Sequence, residues 1–387
     1  MLVVVSGDDF GSMLRAGLER IGGLEKLIGP SQDVLIKPNL NAVDVYPAIS
    51  SAGSIATLAE EVVKVTSGRV RVGDMGFHAD DRVYGHVGLE EALAGTGAEA
   101  IRFSGTYAVR RASIVKWADC KGTANPVKPD ISVYASVYDA PVIVSLASLK
   151  RHFLASMSVA LKNTVGAITA SGARGSRSHL HELHGNNFQM EVAEIAGVIN
   201  PELTVVDARS ALIGNGPFSN SAGAEILEGV NLLVISGDLV AVDLYCSMIL
   251  KGLDRTFSSG SIEATVKHAH ALGLGVKDLG EVEILDQPTS IEGADGSSAP
   301  ERFALDQNYP NPFNAATEIG FRVDQTGPVS VAVYNALGRR VSTLLDRRMV
   351  PGSYAVTFDG SGLASGTYFC QLKAGSQMVT KRMILLK

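Results

Sequence analysis

The segment from residue 148 to residue 187 carries the densest set of side chains that can bind a ligand or catalyse a reaction. It contains four of the eight histidines and five of the 34 lysines and arginines. Its basic and amide groups are Lys150, Arg151, His152, Lys162, Asn163, Arg174, Arg177, His179, His181 and His184. Such a cluster suits an anionic ligand, a metal, or both. The alternative is a solvated loop that binds nothing.

An apolar run at residues 141–147 immediately precedes this segment and has the length of a β-strand. The basic groups therefore begin where a buried strand is expected to end. In open α/β sheets, ligands bind outside the carboxyl ends of the strands. We accordingly expect the segment to line a ligand site, with Lys150, His152 and Lys162 as candidate catalytic groups and Asn163 as a candidate ligand-binding group.

Three histidines in this segment, His179, His181 and His184, have a spacing that suits a metal ion. Alternate residues of an extended segment face the same side, so two of these imidazoles can bind one metal ion, and the third, nearby, can complete a set of three ligands. A divalent metal is therefore a candidate cofactor. The same residues also fit a short amphipathic helix, in which Leu180 and Leu183 are buried and the histidines are merely exposed.

Polar side chains also follow several other apolar runs of strand length. Lys37 and Asn39 follow one run, and Asp74 and Asp207 each end another. Because the ends of parallel strands meet at one edge of a sheet, these four groups are expected to converge as ligand-binding residues. Asp243, in the helical pattern after a further strand, joins the catalytic candidates. Taken singly, each acidic residue also fits a helix cap or a turn.

Composition and missing motifs exclude several functional classes. The net charge of −6 provides no overall basic field for nucleic acid. The longest apolar stretch, residues 239–250, is too short to span a bilayer. The three cysteines form no C-x-x-C pair, so no iron–sulfur cluster is expected. The phosphate-binding P-loop, the G-x-G-x-x-G dinucleotide motif and the G-x-S-x-G nucleophile elbow are also missing from the sequence.

The order of apolar runs predicts an α/β fold for residues 1–285, with a largely parallel, doubly wound sheet. Candidate strands are residues 2–6, 34–37, 70–74, 142–146, 203–207, 232–236 and 282–285. Candidate helices are residues 11–21, 55–65, 89–94, 155–161, 189–198, 240–250 and 262–271. Most of these strands lack polar alternation, which is typical of strands covered by helices on both faces.

A polar linker rich in Gly, Ser and Pro is predicted at residues 286–302. Beyond it, residues 303–387 contain short alternating segments separated by turns. The candidate strands there are residues 317–323, 329–334, 341–345, 353–358, 367–373 and 377–385. Their even spacing predicts a small, all-β, immunoglobulin-like sandwich.

The C-terminal segment resembles the type IX secretion C-terminal sorting domain. The motifs that carry the resemblance are at residues 305–314, 331–338, 350–352, 363–368 and 379–384. The resemblance implies that the type IX secretion machinery is a partner and that the protein is secreted or attached to the outer surface. Such proteins also need an amino-terminal signal peptide. The chain begins directly with a predicted strand, so we expect a truncated start.

The larger segment resembles the family catalogued as domain of unknown function 362. The matching motifs are at residues 34–39, 72–74, 149–152, 160–166, 179–184, 206–208, 214–217 and 237–243. Many relatives are described as iron–sulfur proteins because of an added ferredoxin-like segment, which this chain lacks. The resemblance implies a site formed by Lys37, Asn39, Asp74, Lys150, His152, Lys162, Asn163, Asp207 and Asp243, but it implies no reaction.

Two main hypotheses remain open at this point. In the first, an exported enzyme holds a small anionic substrate with its lysines, while an imidazole acts as general acid or base and a carboxylate orients that imidazole. In the second, a non-catalytic surface protein captures an anion or a metal in the same cleft. A weaker third hypothesis is a degenerate scaffold without a ligand.

Overall fold

The computed structural model describes residues 1–75, 80–110, 130–169, 188–288, 303–323, 327–349, 352–375 and 377–387. The chain forms two compact units. The first comprises Met1–Leu250 and Thr256–Leu285, and the second comprises Lys251–Arg255 and Asp286–Lys387. The domain limits and the linker stated above stay predictions.

The α/β part of the chain contains twelve of the strands among the described residues. They are β1 Leu2–Ser6, β2 Val34–Lys37, β3 Val70–Val72, β4 Ala98–Ala100, β5 Tyr107–Arg110, β6 Asp130–Val133, β7 Val142–His152, β8 Ser156–Ser158, β9 Leu203–Gly214, β10 Ala224–Leu227, β11 Leu232–Ser236 and β12 Ile284–Pro288. The helices are α1 Phe10–Arg20, α2 Ala52–Val63, α3 Asp80–Val87, α4 Leu89–Leu93, α5 Ala135–Tyr138, α6 Ala160–Asn163, α7 Phe188–Ile199, α8 Leu239–Leu253 and α9 Glu263–Ala271.

The main sheet is mostly parallel, as predicted. Its strand order is β12-β1-β11-β9-β7-β2-β3-β4. Strands β9, β7, β2, β3 and β4 pair in parallel. Strand β11 runs antiparallel to both of its neighbours, β1 and β9, so it is reversed within the sheet. The short strands β8 and β10 are antiparallel partners of β7 and β9.

Alternate residues of these strands pack on opposite faces of the sheet. Val5 and Ile36 belong to a core cluster that also contains Leu14 of α1 and Leu58 of α2. Their neighbour Leu35, also fully buried, points to the other face because side chains alternate along a strand. Burial on both faces explains why the strand sequences are continuously apolar.

Side-chain caps begin α1 and α2 at the carboxyl edge of the sheet. The Asp9 carboxylate accepts a hydrogen bond from the Ser12 amide at 2.9 Å. The Ser51 hydroxyl accepts one from the Ser54 amide at 3.1 Å. Each cap satisfies an amide that has no partner inside its helix and contributes about 1 kcal/mol.

Strand β7 continues well beyond its predicted end at residue 146. It reaches His152 because β8 folds back on it, with Lys150 opposite Ser158 and His152 opposite Ser156. The predicted helix at residues 155–161 is therefore wrong, since part of it forms β8 and the helix α6 begins only at Ala160. The cationic residues Lys150 and Arg151 end the apolar pattern without ending the strand.

The second unit is built from antiparallel strands. They are β13 Ala304–Leu305, β14 Ala316–Val323, β15 Gly327–Asn335, β16 Arg340–Met349, β17 Gly352–Asp359, β18 Gly366–Ala374 and β19 Gln377–Leu385. One sheet has the order β13-β14-β17 and the other β16-β15-β18-β19. Both contribute to one core, in which Phe321 and Phe358 of the first sheet cluster with Val331 and Leu372 of the second. The immunoglobulin-like identity stays a prediction.

Within the described ranges, no helix is both long enough and apolar enough to cross a bilayer.

Candidate functional site

The sheet has a topological switch point between β2 and β7. These two strands are parallel neighbours. After β2 the chain passes to β3 on one side, whereas after β7 it passes to β9 on the other side. The two connections therefore diverge at the carboxyl ends of β2 and β7. In open α/β proteins, ligands bind in the crevice that such a divergence creates, and we call this position the crevice between β2 and β7.

The two buried lysines at this switch point lie on opposite faces of the sheet. Ile36 and Leu146 both belong to the core that packs on α1 and α2. By strand alternation, Lys37 lies on the face away from α2, whereas Lys150 lies on the α2 face. The predicted convergence of strand-end groups therefore takes the form of two separate clusters.

The cluster away from α2 is centred on an ion pair between Lys37 and Asp74. Lys37 Nζ lies 2.6 Å from Asp74 Oδ1, and the two side chains are 0% and 4% exposed. The second carboxylate oxygen accepts a hydrogen bond from the Leu40 amide at 2.7 Å. The Tyr84 hydroxyl accepts one from the Asp74 amide at 2.8 Å, which fixes the backbone at this position. The charge of Lys37 is thus matched inside the protein.

Gly166 packs directly against this ion pair. A Cβ at that position would lie 1.9 Å from Asp74 Oδ1 and 2.6 Å from Lys37 Nζ. Any side chain there would collide with the ion pair. The packing leaves no room for a ligand between Gly166 and the pair, so these residues form a structural unit.

Asn163 and Lys162 lie close to this cluster but have different surroundings. The Asn163 side-chain amide donates to Ser145 Oγ at 2.9 Å and to the Lys37 carbonyl at 3.4 Å. It thereby bridges β2 and β7. Lys162 is half-buried, and its Nζ lies 5.9 Å from the centre of the Phe188 ring.

Asp243 reaches the same side of the sheet from α8. Its Oδ1 accepts a hydrogen bond from the Ala160 amide at 2.7 Å, at the start of α6. Burial raises the pKa of this carboxyl to about 7, against the lowering effect of the Ala160 and Leu161 amides. The geometry makes Asp243 a helix cap that carries a proton at mildly acidic pH.

On the α2 face, Lys150 is held by neutral oxygen atoms. Its Nζ donates to Asn39 Oδ1 at 3.0 Å and to the Ala48 carbonyl. The residue is 1% exposed. Burial lowers the pKa of Lys150 to about 8, although Asp74 and Asp44 partly oppose that effect. Within the described ranges, no carboxylate forms an ion pair with Lys150, so its charge is only partly compensated.

Ser148 adds a hydroxyl to this face that sequence reasoning missed. It lies two residues before Lys150 on β7, and its side chain therefore points to the same face. It is fully buried, and its Oγ has no hydrogen-bond partner among the described residues. Buried polar atoms are normally paired, with a ligand or a water where protein groups are lacking. The only signal in the sequence is its spacing from Lys150.

Asp207, opposite Ser148 on the neighbouring strand, is the centre of a saturated network. Its carboxylate accepts hydrogen bonds from Tyr46 at 2.7 Å, from Ser54 at 2.7 Å and from Arg209 at 2.8 and 2.9 Å. Burial, followed by the charge of Asp207, raises the pKa of Tyr46. Asp207 raises the pKa of Arg209, whose guanidinium also lies 5.2 Å from the Phe10 ring. Sequence reasoning missed Arg209, which lies two residues after Asp207.

His152 ends β7 with its ring in a fixed orientation. Its Nδ1 accepts hydrogen bonds from the Leu154 and Ala155 amides at 3.1 and 3.2 Å. Its ring stacks on Phe153, with 5.3 Å between ring centres and 10° between planes. Because Nδ1 accepts two amides, any proton that the neutral ring carries is on Nε2.

The proposed metal ligands His179, His181 and His184 lie outside the described residues, as do Arg174 and Arg177. In the described ranges, no group of three or more His, Cys, Asp or Glu side chains is arranged to hold a metal ion. A buried pair that sequence reasoning missed, His268 and Glu194, has its ring nitrogen and carboxylate 2.8 Å apart, but it joins α9 to α7.

Comparison with protein families gives two matches. Residues 34–248, more than half of the chain, match the model described as Domain of unknown function (DUF362). Residues 307–386 match the Secretion system C-terminal sorting domain. The sorting domain implies secretion through the type IX machinery and attachment at the outer surface.

Individual relatives are distant. A thylakoid-associated protein of Synechocystis is 26% identical over 242 residues, which cover 62% of this chain and 69% of that protein. Among solved structures, latent PorU of Porphyromonas gingivalis is 19% identical over 24% of this chain and 10% of its own, with a TM-score of 0.18. PorZ of the same organism, a surface component of its type IX secretion system, is 18% identical over 22% of this chain and 11% of its own, with a TM-score of 0.16. The chain thus spans about a tenth of either structure, and TM-scores this low carry no structural argument.

Proposed function

Because the chain belongs to the family Domain of unknown function (DUF362), whose description names no reaction, we propose a function from the geometry of its own site. The α/β unit binds a small anionic ligand, a carboxylate or a phosphate, in the crevice between β2 and β7 on the α2 face. The sorting domain delivers this binding unit to the outer surface.

The incomplete compensation of the Lys150 charge is the observation that carries this proposal. Burying an ammonium group with only neutral partners is costly, and its lowered pKa reflects that cost. An anion beside Nζ would remove the cost. The Asn39 side chain is the replaceable partner because it can rotate away, whereas the Ala48 carbonyl is part of the backbone.

Ser148 would supply a second donor to the same ligand. Its unpaired hydroxyl lies on the same face of β7 as Lys150, two residues earlier. The Lys37–Asp74 pair, Asn163 and Asp243 would then act as supports, because they hold the strand ends and α6 in place. His152, on the same face of β7 as Lys150, stays a candidate for contact with the ligand at the outer end of the crevice.

Catalysis is the second candidate function, and the pKa of about 8 at Lys150 favours it. An amine with such a pKa is partly neutral near physiological pH and can accept a proton from a bound substrate. In that case His152 remains a candidate catalytic group, whereas Lys162 and Asp243 lie with the Lys37 cluster on the other face of the sheet. Conversion of a bound anion that is lost in the Lys150 variant would support this second function over simple binding.

Calorimetric titration with inorganic phosphate and with acetate at pH 7 tests the proposal. Wild type should bind at least one of them. Lys150→Met, which keeps the length of the side chain without its charge, should weaken binding about tenfold or more. Lys64→Met is the matched control, because Lys64 is 60% exposed and pairs with Glu61 at the surface.

Ser148→Ala is a milder variant, which keeps the test valid if Lys150→Met is unstable. It should weaken the same anion several-fold while its melting temperature stays close to that of wild type. Binding of equal strength in wild type, Lys150→Met and Ser148→Ala would contradict the proposal. So would a wild-type protein that binds neither anion.

A further inference from the structure

Three apolar side chains on the segments that follow β7 and β2 are exposed. Phe153, directly after β7, is 64% exposed, and Val43 and Val45, in the loop after β2, are 39% and 51% exposed. We call these three residues the apolar rim. Single exposed apolar residues are common, but a group of them beside a polar crevice indicates a contact surface.

Hydrogen bonds bring the two parts of the apolar rim to one loop. The Phe153 amide donates to the Gly216 carbonyl at 3.1 Å. The Ser219 amide donates to the carboxylate of Asp44, between Val43 and Val45, at 3.0 Å. Both parts of the rim are therefore anchored within residues 216–219.

The ring of Phe153 is held as a platform. One face stacks on the His152 imidazole, with nearly parallel planes. That imidazole is itself fixed by the Leu154 and Ala155 amides. Because the ring keeps this orientation while most of its surface faces solvent, a flat apolar group can stack or pack on it with little loss of entropy.

The rim is continuous with the proposed anion site. The loop that carries Val43 and Val45 continues to Ala48, whose carbonyl binds Lys150. Lys150 and His152 are two residues apart on β7, which is about 7 Å along a strand. Phe153 directly follows His152, so its ring lies at the same end of β7 as Lys150.

We propose that the ligand is an aromatic anion, a carboxylate or phosphate attached to a flat ring, with its charge at Lys150 and its ring on Phe153. This inference rests on the proposed function, because it assigns the anionic end of the ligand to Lys150. It adds a class of ligand, which neither family match provides.

Acetate and phenylacetate are suitable probes because they carry the same charge and differ by one ring. In calorimetric titrations of the full chain at pH 7, wild type should bind phenylacetate about tenfold more tightly than acetate. Phe153→Ala should reduce that ratio to below about threefold and leave acetate affinity unchanged. Tyr138→Ala is the control, because Tyr138 is an exposed aromatic residue that packs on Tyr107 instead.

The outcomes separate this inference from the proposed function. If wild type binds acetate but shows no preference for phenylacetate, the inference fails and the anion site stands. The same holds if the preference survives Phe153→Ala. If wild type binds neither these carboxylates nor phosphate, the proposed function fails and the inference fails with it.

Discussion

Gly166 lies directly over Asp74, so close that a Cβ at residue 166 would be 1.9 Å from the carboxylate oxygen that binds Lys37. The contact joins the end of the α6 segment to the ends of β2 and β3. It explains in physical terms why a glycine ends the motif at residues 160–166. Only glycine, whose side chain is a hydrogen atom, leaves space there for the buried ion pair.

Gly166→Ala should therefore destabilise the protein by about 1–3 kcal/mol, because the added methyl group displaces Asp74 or the α6 segment. Chemical denaturation followed by circular dichroism measures this change. Gly53→Ala is the matched control, since nothing lies within 4 Å of a Cβ at that position in α2. That control should be neutral or slightly stabilising. Equal stability of Gly166→Ala and wild type would show that Gly166 does not pack tightly on the ion pair.

Asp74→Asn should cost about 3–5 kcal/mol, because it removes the charge that pairs with the fully buried Lys37. The same measurement on Asp33→Asn provides the comparison. Asp33 pairs with Arg69, whose side chain is 71% exposed, and solvent screens that pair. We expect a much smaller loss there. Similar losses of stability in the two variants would contradict the complete burial of the Lys37–Asp74 pair.

Asp243→Asn should change how stability depends on pH. The folded pKa of about 7 lies above the ordinary aspartate value of 3.8, so the folded state retains a proton that the unfolded state releases. The resulting stabilisation is fully present below about pH 4 and is lost as pH rises to about 7, by up to about 1.4 kcal/mol per pH unit. The variant lacks this pH-dependent stabilisation, but its amide oxygen can still cap α6.

Thermal melts at pH 4, 5.5, 7 and 8 check this prediction. The stability of Asp243→Asn relative to wild type should increase from pH 4 to pH 7 and then stay constant. A difference that is the same at every pH would mean that Asp243 is ionised in the folded protein throughout that range.

The sequence was sufficient to predict most of the α/β framework. The strands Leu2–Ser6, Val34–Lys37 and Leu232–Ser236 have the predicted limits, because apolar runs bounded by polar residues set both ends. Asp238 caps the following helix by accepting a hydrogen bond from the Ala241 amide. The reversed direction of β11 was not predictable, since an apolar run contains no information about its direction.

The site was only partly predictable for the same physical reason. Residue types identified Lys37, Asp74 and Lys150 as buried polar groups at strand ends. Which of these groups pair depends on the face of the sheet to which each side chain points. Alternation along the strands places Lys37 and Lys150 on opposite faces. Ser148 and Arg209 were missed because a single Ser or Arg near a strand end has no distinctive pattern. In the structure, Ser148 stands out because its hydroxyl has no hydrogen-bond partner among the described residues. Arg209 stands out because it binds the Asp207 carboxylate.

Removal of residues 303–387 should abolish secretion without unfolding the α/β unit. The sorting domain lies wholly within the deleted segment, and the predicted linker precedes it. Fractionation of a bacterium that has a type IX secretion system would measure the protein at the cell surface and inside the cell. Surface display of the shortened chain at wild-type levels would contradict this role of the sorting domain.

The pH dependence of acetate affinity tests the central claim most directly, because acetate remains ionised while Lys150 titrates. With a pKa of about 8 for Lys150, affinity in wild type should be constant below about pH 8 and fall as the pH rises further, by up to about tenfold per pH unit. Lys150→Met should bind weakly, with no such fall between pH 7 and pH 10. A wild-type affinity that stays constant to pH 10, or a Lys150→Met variant with the wild-type profile, would show that Lys150 does not bind the anion.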